Sequence, residues 1–125
     1  MKDDCLFCKI VRGEVPSLKL YEDEDVLVML DAYPDTDGHT LVIPKKHYVD
    51  IYEVPKEMLQ KMIDTGKIMA KDIMNKMPRS SMTFLVNYGD AQIIKHIHLH
   101  LLPNFGDKEN VLGKDKVYEI LTKDK

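Results

Sequence analysis

The sequence predicts an α+β fold, in which an antiparallel sheet of about five strands packs on one long helix, with short helices near both ends. Two observations carry this prediction. Several short runs rich in aliphatic residues are separated by turn-forming residues, which is typical of strands. Only residues 56–77 combine sufficient length with the apolar spacing of a long helix.

The first half of the chain predicts a short helix followed by three strands. A helix over residues 5–11 ends before Gly13, a residue suited to the left-handed position after a helix. Residues 19–22 and 26–30 form a predicted hairpin around the acidic turn 22–25. After a turn rich in Pro, Asp and Gly, a third strand covers residues 39–43 and stops at Pro44.

The second half predicts the long helix and the rest of the sheet. The helix over residues 56–77 lies between Pro55 and Pro78. Its methionines recur at core spacing, which favours a packing face against the sheet over a binding groove, although Gly66 costs about 1 kcal/mol of helix propensity. Strands over residues 82–87 and 96–102, joined by a loop, complete the sheet, and a short helix follows around residues 117–122.

Length and charge limit the classes of function. With 125 residues, the chain is one domain (1–125) that can bury a core without disulfides. The net charge is −3 and the pI is about 5.9, so we expect no nucleic-acid partner. Residues 1–4 carry no apolar signal run and no stretch reaches transmembrane length, which predicts a cytoplasmic protein without a membrane partner.

Three histidines, His96, His98 and His100, alternate with aliphatic residues in the last predicted strand. Because strand side chains alternate between faces, the imidazoles share one side and residues 97, 99 and 101 share the other. Same-face neighbours lie roughly 6.5 to 7 Å apart along a strand. Aligned imidazoles can divide nucleophilic and acid/base work, or two or three of them can bind one metal ion. The spacing alone does not separate these functions.

The two cysteines, Cys5 and Cys8, form a C-x-x-C pair. In a reducing compartment this spacing indicates a metal half-site or a redox pair rather than a structural disulfide. A structural zinc site needs two further ligands. A redox dithiol and two buried, unpaired thiols are the alternatives.

Five stretches in the same order resemble the histidine triad (HIT) family, closest to its bacterial-type Hint-like nucleotide-binding branch. They are residues 5–11 (CLFCKIV), 15–17 leading into 21–23 (VPS, YED), 30–31 (LD), 38–47 (GHTLVIPKKH) and 96–102 (HIHLHLL). Several collinear motifs are far more specific than one pattern match. The resemblance covers about residues 5–103, which implies a HIT-like core there and a C-terminal tail over residues 104–125.

The resemblance implies a nucleotide hydrolase or transferase that acts at an α-phosphate. The implied substrates are purine nucleoside phosphoramidates or related adenylyl conjugates, including dinucleoside polyphosphate-like ones. His98 is the implied nucleophile and forms a nucleotidyl-histidine intermediate, while His100 contacts the phosphate and His39 lies beside them. A neutral imidazole attacks through one nitrogen only if an acceptor fixes the proton on the other.

The resemblance also implies nucleotide contacts, a zinc ion and a homodimer. The implied nucleotide-binding residues are Phe7, Asp31 at the ribose hydroxyls, Asn87 at the phosphate, Gln92 and His100. The implied ligands of a structural Zn²⁺ are Cys5, Cys8, His47 and His96. No organic cofactor is expected.

The chain departs from the family pattern just before the triad. The segment between Asn87 and His96 is short, and Ile93 stands where the family has a Ser or Thr. Loss of a donor where transition-state charge develops can cost orders of magnitude in rate. We therefore expect weak hydrolysis, phosphate contacts rebuilt by Lys95 or backbone amides, or a nucleotide-binding adaptor of the same fold. A metalloprotein whose histidine row binds the functional ion is a third alternative.

Overall fold

The computed structural model describes residues 4–77, 79–105 and 111–123. Some predictions lie outside the described residues, namely those on the start of the chain (1–3), on Pro78 after the long helix, and on parts of the tail (106–110 and 124–125). Within the described ranges, no helix is both long and apolar enough to cross a lipid bilayer.

One antiparallel sheet of five strands organises the fold, as the sequence predicts. The strands are β1 (Lys19–Glu22), β2 (Val26–Leu30), β3 (Thr40–Pro44), β4 (Met82–Leu85) and β5 (Leu99–Pro103). Their order across the sheet is β1-β2-β3-β5-β4. The last strand in sequence therefore inserts between β3 and β4, which places the segment carrying the triad in the interior of the sheet.

Three α-helices cover the two faces of this sheet. They are α1 (Leu6–Val11), α2 (Lys56–Lys76) and α3 (Lys114–Thr122), the last beginning three residues earlier than predicted. α2 packs on one face, with α3 beside it, and shares a core with β2, β3 and β5. α1 covers the other face through Phe7 and Ile10. β2 is consequently buried along its whole length, and the prediction that the methionine-rich helix covers the sheet is confirmed.

Two glycines meet different requirements of the fold. A Cβ on Gly66 in α2 would lie 2.7 Å from Leu99 Cδ2, so a larger residue would force either the Leu99 side chain or α2 to shift. This close approach explains why the helix tolerates a residue of low propensity. Gly13 follows α1 with a φ of +82°, the left-handed conformation that the sequence predicts there.

Two predicted strand boundaries are wrong by more than one residue. β5 begins at Leu99 rather than at residue 96, because the continued β3–β5 register would bring Ile97 opposite Pro44, which has no N–H to donate. The Ile97 N–H donates instead to Tyr48 O (2.8 Å). β4 ends at Leu85 rather than at residue 87, because the continued register would place residue 87 opposite residue 98, before β5 begins.

A buried carboxylate ties the C-terminal helix to the loop before β3. Asp37 is 2% exposed and accepts hydrogen bonds of 3.0 to 3.2 Å from the backbone N–H groups of residues 111–113, just before α3. The Arg79 guanidinium lies 3.3 Å from the same carboxylate. Thr36 Oγ1 donates to Pro103 O at the end of β5 (2.7 Å). The loop over residues 31–39 is thus anchored to three distant parts of the chain, namely residues 111–113, Arg79 and Pro103.

Candidate active site

A cleft of about 330 Å³ opens on the α1 face of the sheet, where β3 and β5 lie side by side. His39 precedes β3, His98 precedes β5, and His100 lies within β5 opposite Leu41. These three imidazoles line the cleft with residues of α1, β2 and the loop before His98. The other lining residues are Leu6, Phe7, Ile10, Met29, Asp31, Ala32, Tyr33, Asp35, Leu41, Asn87, Ala91, Ile93 and Ile94.

The proton on His98 is fixed by its own chain. His98 Nδ1 lies 2.8 Å from His96 O, and a carbonyl oxygen only accepts, so Nδ1 carries the proton and Nε2 keeps its lone pair. Among the described residues, none forms a hydrogen bond with Nε2. Burial lowers the pKa of His98, which keeps the imidazole neutral near pH 7. This is the arrangement that a nucleophilic histidine requires.

His39 and His100 are joined by a hydrogen bond between their imidazoles. The Asp35 N–H donates to His39 Nδ1 (3.1 Å), so neutral His39 carries its proton on Nε2. That Nε2–H donates to His100 Nδ1 (2.9 Å), which leaves the proton of His100 on Nε2. The Asn87 side-chain amide lies 3.4 Å from this Nε2 and can turn its oxygen to accept the N–H. The chain of hydrogen bonds therefore keeps the proton of His100 on Nε2, where either the Asn87 oxygen or a bound anion can accept it.

Both linked imidazoles are neutral near pH 7. Burial, together with the neighbouring imidazoles of His98 and His39, lowers the pKa of His100 to about 3. Burial also lowers the pKa of His39, against the opposing effect of the Asp31 and Asp35 carboxylates. Neutral imidazoles each carry one N–H, as the hydrogen bonds between them require.

The other predicted nucleotide-binding residues are divided between the cleft and the loop behind it. Asp31 lines the cleft, with its Oδ2 atom 3.5 Å from His39 Nε2. Phe7 is 3% exposed and lies edge-on to His98, with ring centroids 4.9 Å apart. Gln92 is not among the described residues that line the cleft, and its Nε2 donates to two backbone oxygens at 2.6 and 3.1 Å.

The short loop before the triad is closed by Lys95. Its Nζ donates to Gly89 O (2.8 Å) and Gln92 O (2.6 Å). Lys95 therefore holds the loop and is not among the described residues that line the cleft, contrary to the expectation that it rebuilds a phosphate contact. Ile93 lines the cleft and is 86% exposed.

Four residues next to the cleft form a second cluster, the thiol–imidazole cluster. Its members are Cys5, Cys8, His47 and His96, whose ligand atoms all lie within 4.8 Å of one another. Sulfur-to-nitrogen distances of 3.3 to 3.5 Å approach the roughly 3.6 Å expected between such ligands on a tetrahedral Zn²⁺. His96 Nε2–H donates to Pro44 O (2.7 Å), so Nδ1 turns its lone pair to the sulfurs. The donor set and its orientation fit zinc.

Asp31, His39 and His100 also lie within 4.8 Å of one another, but they do not fit a metal ion. His39 Nδ1 already uses its lone pair to accept the Asp35 N–H. A metal on His39 Nε2 would therefore require the imidazole to lose its last proton, whereas proteins bind metals through neutral imidazole. These hydrogen bonds disfavour the alternative in which the histidine row binds a functional ion.

Comparison with known proteins decides the family. The profile of the HIT domain matches residues 12–107, most of the chain. The chain belongs to the HIT domain family. A Zn-bound histidine triad family protein from Mycobacterium smegmatis has a TM-score of 0.85 and 37% identity to this HIT protein, covering 94% of this chain and 90% of that chain. A HIT family protein from Bacillus subtilis has a TM-score of 0.80 and 38% identity, covering 86% and 77%.

Two relatives of this HIT protein have named activities. Adenylylsulfatase HINT3 of Arabidopsis thaliana is 42% identical over 105 residues, which are 82% of this chain and 53% of that protein. Adenosine 5′-monophosphoramidase HNT1 of Saccharomyces cerevisiae is 34% identical over 110 residues, which are 86% of this chain and 67% of that protein. The chain thus spans about half the length of the Arabidopsis protein.

Sequence reasoning missed the backbone groups that fix the imidazole protons in this HIT protein. The Asp35 N–H, Pro44 O and His96 O act through the main chain, so no residue type signals them. Asp37 did carry a signal, since a carboxylate in a turn-rich loop commonly caps backbone N–H groups. Its partners, however, lie more than 70 residues away in the chain and leave no local pattern.

Proposed function

We propose that this HIT protein is a nucleotide hydrolase or transferase that acts at the α-phosphate of purine nucleoside phosphoramidates or related adenylyl conjugates. The activities named for the Arabidopsis and yeast relatives support nucleotide hydrolysis. The observation that carries the proposal is the orientation of His98. Its Nδ1–H is held by a backbone oxygen, which leaves the Nε2 lone pair available in the cleft.

The proposed reaction has two steps. His98 Nε2 attacks the α-phosphorus, and a P–N bond forms as the bond to the leaving group breaks. The His100 N–H, oriented through His39, stabilises the charge on the phosphoryl oxygens, with Asn87 beside it. Water then cleaves the nucleotidyl-histidine, releases the nucleoside monophosphate and restores His98.

The remaining proposed contacts follow from position in the cleft. Asp31 binds the ribose hydroxyls, because it is a carboxylate on the cleft wall close to the phosphate-facing imidazoles. Phe7 packs on the nucleotide from the α1 side and fixes the position of the His98 imidazole. Gln92 supports the loop wall through its two backbone contacts rather than touching the nucleotide.

We also propose that the thiol–imidazole cluster holds a structural zinc ion, for which the Zn-bound Mycobacterium smegmatis structure offers support. Four protein ligands leave no open position, which is typical of a structural rather than a catalytic zinc. Such an ion would fix the start of α1 against His96. Because His96 O holds the proton of His98, the ion would steady the nucleophile without touching the substrate.

A homodimer through β4 is a further proposal. β4 is at the edge of the sheet, and Phe84 on it is 41% exposed. Exposed strand edges pair readily with another chain. Sedimentation velocity tests this proposal: we expect a dimer for the unmodified protein and a monomer for Phe84→Glu, whereas a monomeric unmodified protein would contradict it.

A second candidate function, a nucleotide-binding adaptor with weak catalysis, is favoured by Ile93. This aliphatic side chain supplies no hydrogen-bond donor, whereas the family resemblance implies a Ser or Thr hydroxyl at this position. Tight nucleotide binding with negligible turnover would support the adaptor. Rapid hydrolysis would exclude it.

The deciding experiment follows hydrolysis of an adenosine phosphoramidate by the unmodified protein and by His98→Asn. Asn retains an N–H that can donate to His96 O but has no nucleophilic nitrogen. In His98→Asn we expect turnover to fall by about 10³-fold or more while nucleotide binding persists. In the unmodified protein we expect mass spectrometry to detect a nucleotidyl adduct on His98. Unchanged turnover in His98→Asn would rule out the proposed nucleophile.

A further inference from the structure

The two cysteines of the thiol–imidazole cluster lie within reach of each other. Cys5 immediately precedes α1, and its sulfur accepts the Cys8 N–H at 3.4 Å, which holds it over the first turn of the helix. The Sγ atoms of these free thiols lie within 4.8 Å of each other. A disulfide bond is about 2.0 Å long, so rotation of the two side chains can close the remaining gap.

The two thiols differ in exposure. Cys5 is half-buried and lines a cavity of about 440 Å³ beside the cleft, whereas Cys8 is fully buried. A small neutral oxidant such as hydrogen peroxide can enter this cavity, where it meets Cys5 first. An accessible cysteine next to a second cysteine that can bond to it is typical of redox-sensitive sites.

The residues around the cysteines connect them to the cleft. Leu6 and Phe7, which separate the two cysteines in the chain, both line the cleft, and the Phe7 ring lies edge-on to His98. Both sulfurs also lie near His96 Nδ1, at 3.4 and 3.5 Å, and His96 O accepts the Nδ1–H of His98. A change in the bonding of the sulfurs therefore reaches His98 by two routes.

We propose that Cys5 and Cys8 form a site of reversible oxidation, at which hydrogen peroxide joins the two sulfurs in a disulfide. The Cys5 sulfur attacks one peroxide oxygen, the O–O bond breaks and water leaves, which gives a sulfenic acid. The Cys8 sulfur then attacks the Cys5 sulfur, the hydroxyl leaves as a second water, and the S–S bond forms. The two thiols are oxidised, hydrogen peroxide is reduced to two waters, and these waters take up both thiol protons.

Oxidation also changes the metal affinity of the cluster. A bound Zn²⁺ would keep both cysteines as thiolates, which are the nucleophilic form. Burial raises the pKa of the Cys5 thiol, so without a metal ion this thiol reacts more slowly. Once joined, the sulfurs no longer offer thiolates, and only His47 and His96 remain as ligands. The oxidised cluster therefore releases zinc.

The experiment treats the full zinc-containing chain with hydrogen peroxide and then with dithiothreitol. Because the sequence has only two cysteines, titration of free thiols counts the reaction directly. Elemental analysis follows bound zinc, and mass spectrometry locates the disulfide. We expect loss of both thiols, a disulfide within one chain, and a fall in zinc from about one equivalent to a trace. Dithiothreitol with added zinc should restore the starting state, since it reduces disulfides but not oxidised methionines.

Cys8→Ser is the matched control, because it keeps Cys5 but removes its partner. In this variant we expect dimedone to trap a sulfenic acid on Cys5, with no disulfide inside the chain. Thiols that survive while methionines are oxidised would overturn the site. Disulfides that form only between two chains would also overturn it.

The effect on hydrolysis alone rests on the proposed function. Oxidation should lower the turnover of an adenosine phosphoramidate about tenfold or more, and dithiothreitol should restore it. If the reduced protein hydrolyses nothing, the hydrolase proposal fails, but the thiol and zinc measurements still test the site. Calorimetry with AMP then tests the connection to the cleft: we expect weaker binding after oxidation, and equal affinities of the reduced and oxidised forms would overturn that connection.

Discussion

The two histidine clusters are adjacent in the chain, yet their imidazoles are oriented in opposite ways. In the thiol–imidazole cluster, His96 donates its Nε2–H to a backbone oxygen and turns a lone pair to the two sulfurs. In the cleft, His39 accepts a backbone N–H and passes its own N–H to His100. The first arrangement offers lone pairs to a cation, and the second offers an N–H to an anion.

The difference teaches that the nearest backbone group, more than the residue type, decides the role of each histidine. A carbonyl partner leaves a free lone pair, and an N–H partner leaves a free proton. His98, with a carbonyl partner, resembles His96 in this respect. It belongs to neither group of potential metal ligands among the described residues, so its lone pair is available for nucleophilic attack.

The largest expected effect is a difference in zinc content between a variant of the thiol–imidazole cluster and a variant of the cleft. Cys8→Ser should reduce bound zinc from about one equivalent to a trace and lower the melting temperature, because a structural zinc contributes directly to folding. His98→Asn should keep its zinc. Elemental analysis of both purified variants checks this, and loss of zinc from both would mean that the clusters act as one site.

Loss of the hydrogen bond between His39 and His100 should have the next largest effect. In His39→Ala, His100 is free to place its proton on either nitrogen, so we expect kcat to fall about tenfold to a hundredfold with little change in KM. His39→Gln retains a side-chain N–H and should recover part of the loss. A rise in KM with unchanged kcat would contradict an orienting role for His39.

Acid should destabilise the cleft through His100. The folded-state pKa of His100, about 3, lies below the ordinary value of 6.5. The contribution of neutral His100 to the free energy of unfolding is therefore complete above pH 6.5 and is lost as the pH falls toward 3. One titrating group can lower the free energy of unfolding by at most about 1.4 kcal/mol per pH unit. Because the His100 imidazole is only half-buried, we expect less than half of this loss. Urea unfolding at pH 7 and pH 5 should show a smaller loss for His100→Asn than for the unmodified protein.

The smallest expected effect concerns Phe7, which touches both clusters. Its ring lies edge-on to His96 and His98, with centroids 5.9 and 4.9 Å away. Phe7→Leu should lower the free energy of unfolding by about 1 kcal/mol through loss of these contacts. Urea unfolding measures the change, and a loss well above 3 kcal/mol would show that the ring does more than pack.

Much of the fold follows from the sequence, because strand patterns, prolines and the methionine spacing act locally. The sequence predicts a strand over residues 96–102, and β5 does form there, but it begins only at Leu99, since its start depends on Pro44 in another strand. The family resemblance led to all four residues of the thiol–imidazole cluster. The positions of the imidazole protons could not be predicted, because Asp35 N–H and His96 O are main-chain groups whose directions exist only after folding.

The anchoring of loop 31–39 by Asp37 and Thr36 affects the entropy cost of nucleotide binding. This loop supplies Asp31, His39 and the Asp35 N–H, and its conformation is fixed by hydrogen bonds to the segment before α3 and to the end of β5. The ordering entropy of these groups is therefore spent when the chain folds rather than when a nucleotide arrives. We therefore expect the described residues 111–113, which contact this loop through Asp37, to influence the strength of nucleotide binding from outside the cleft.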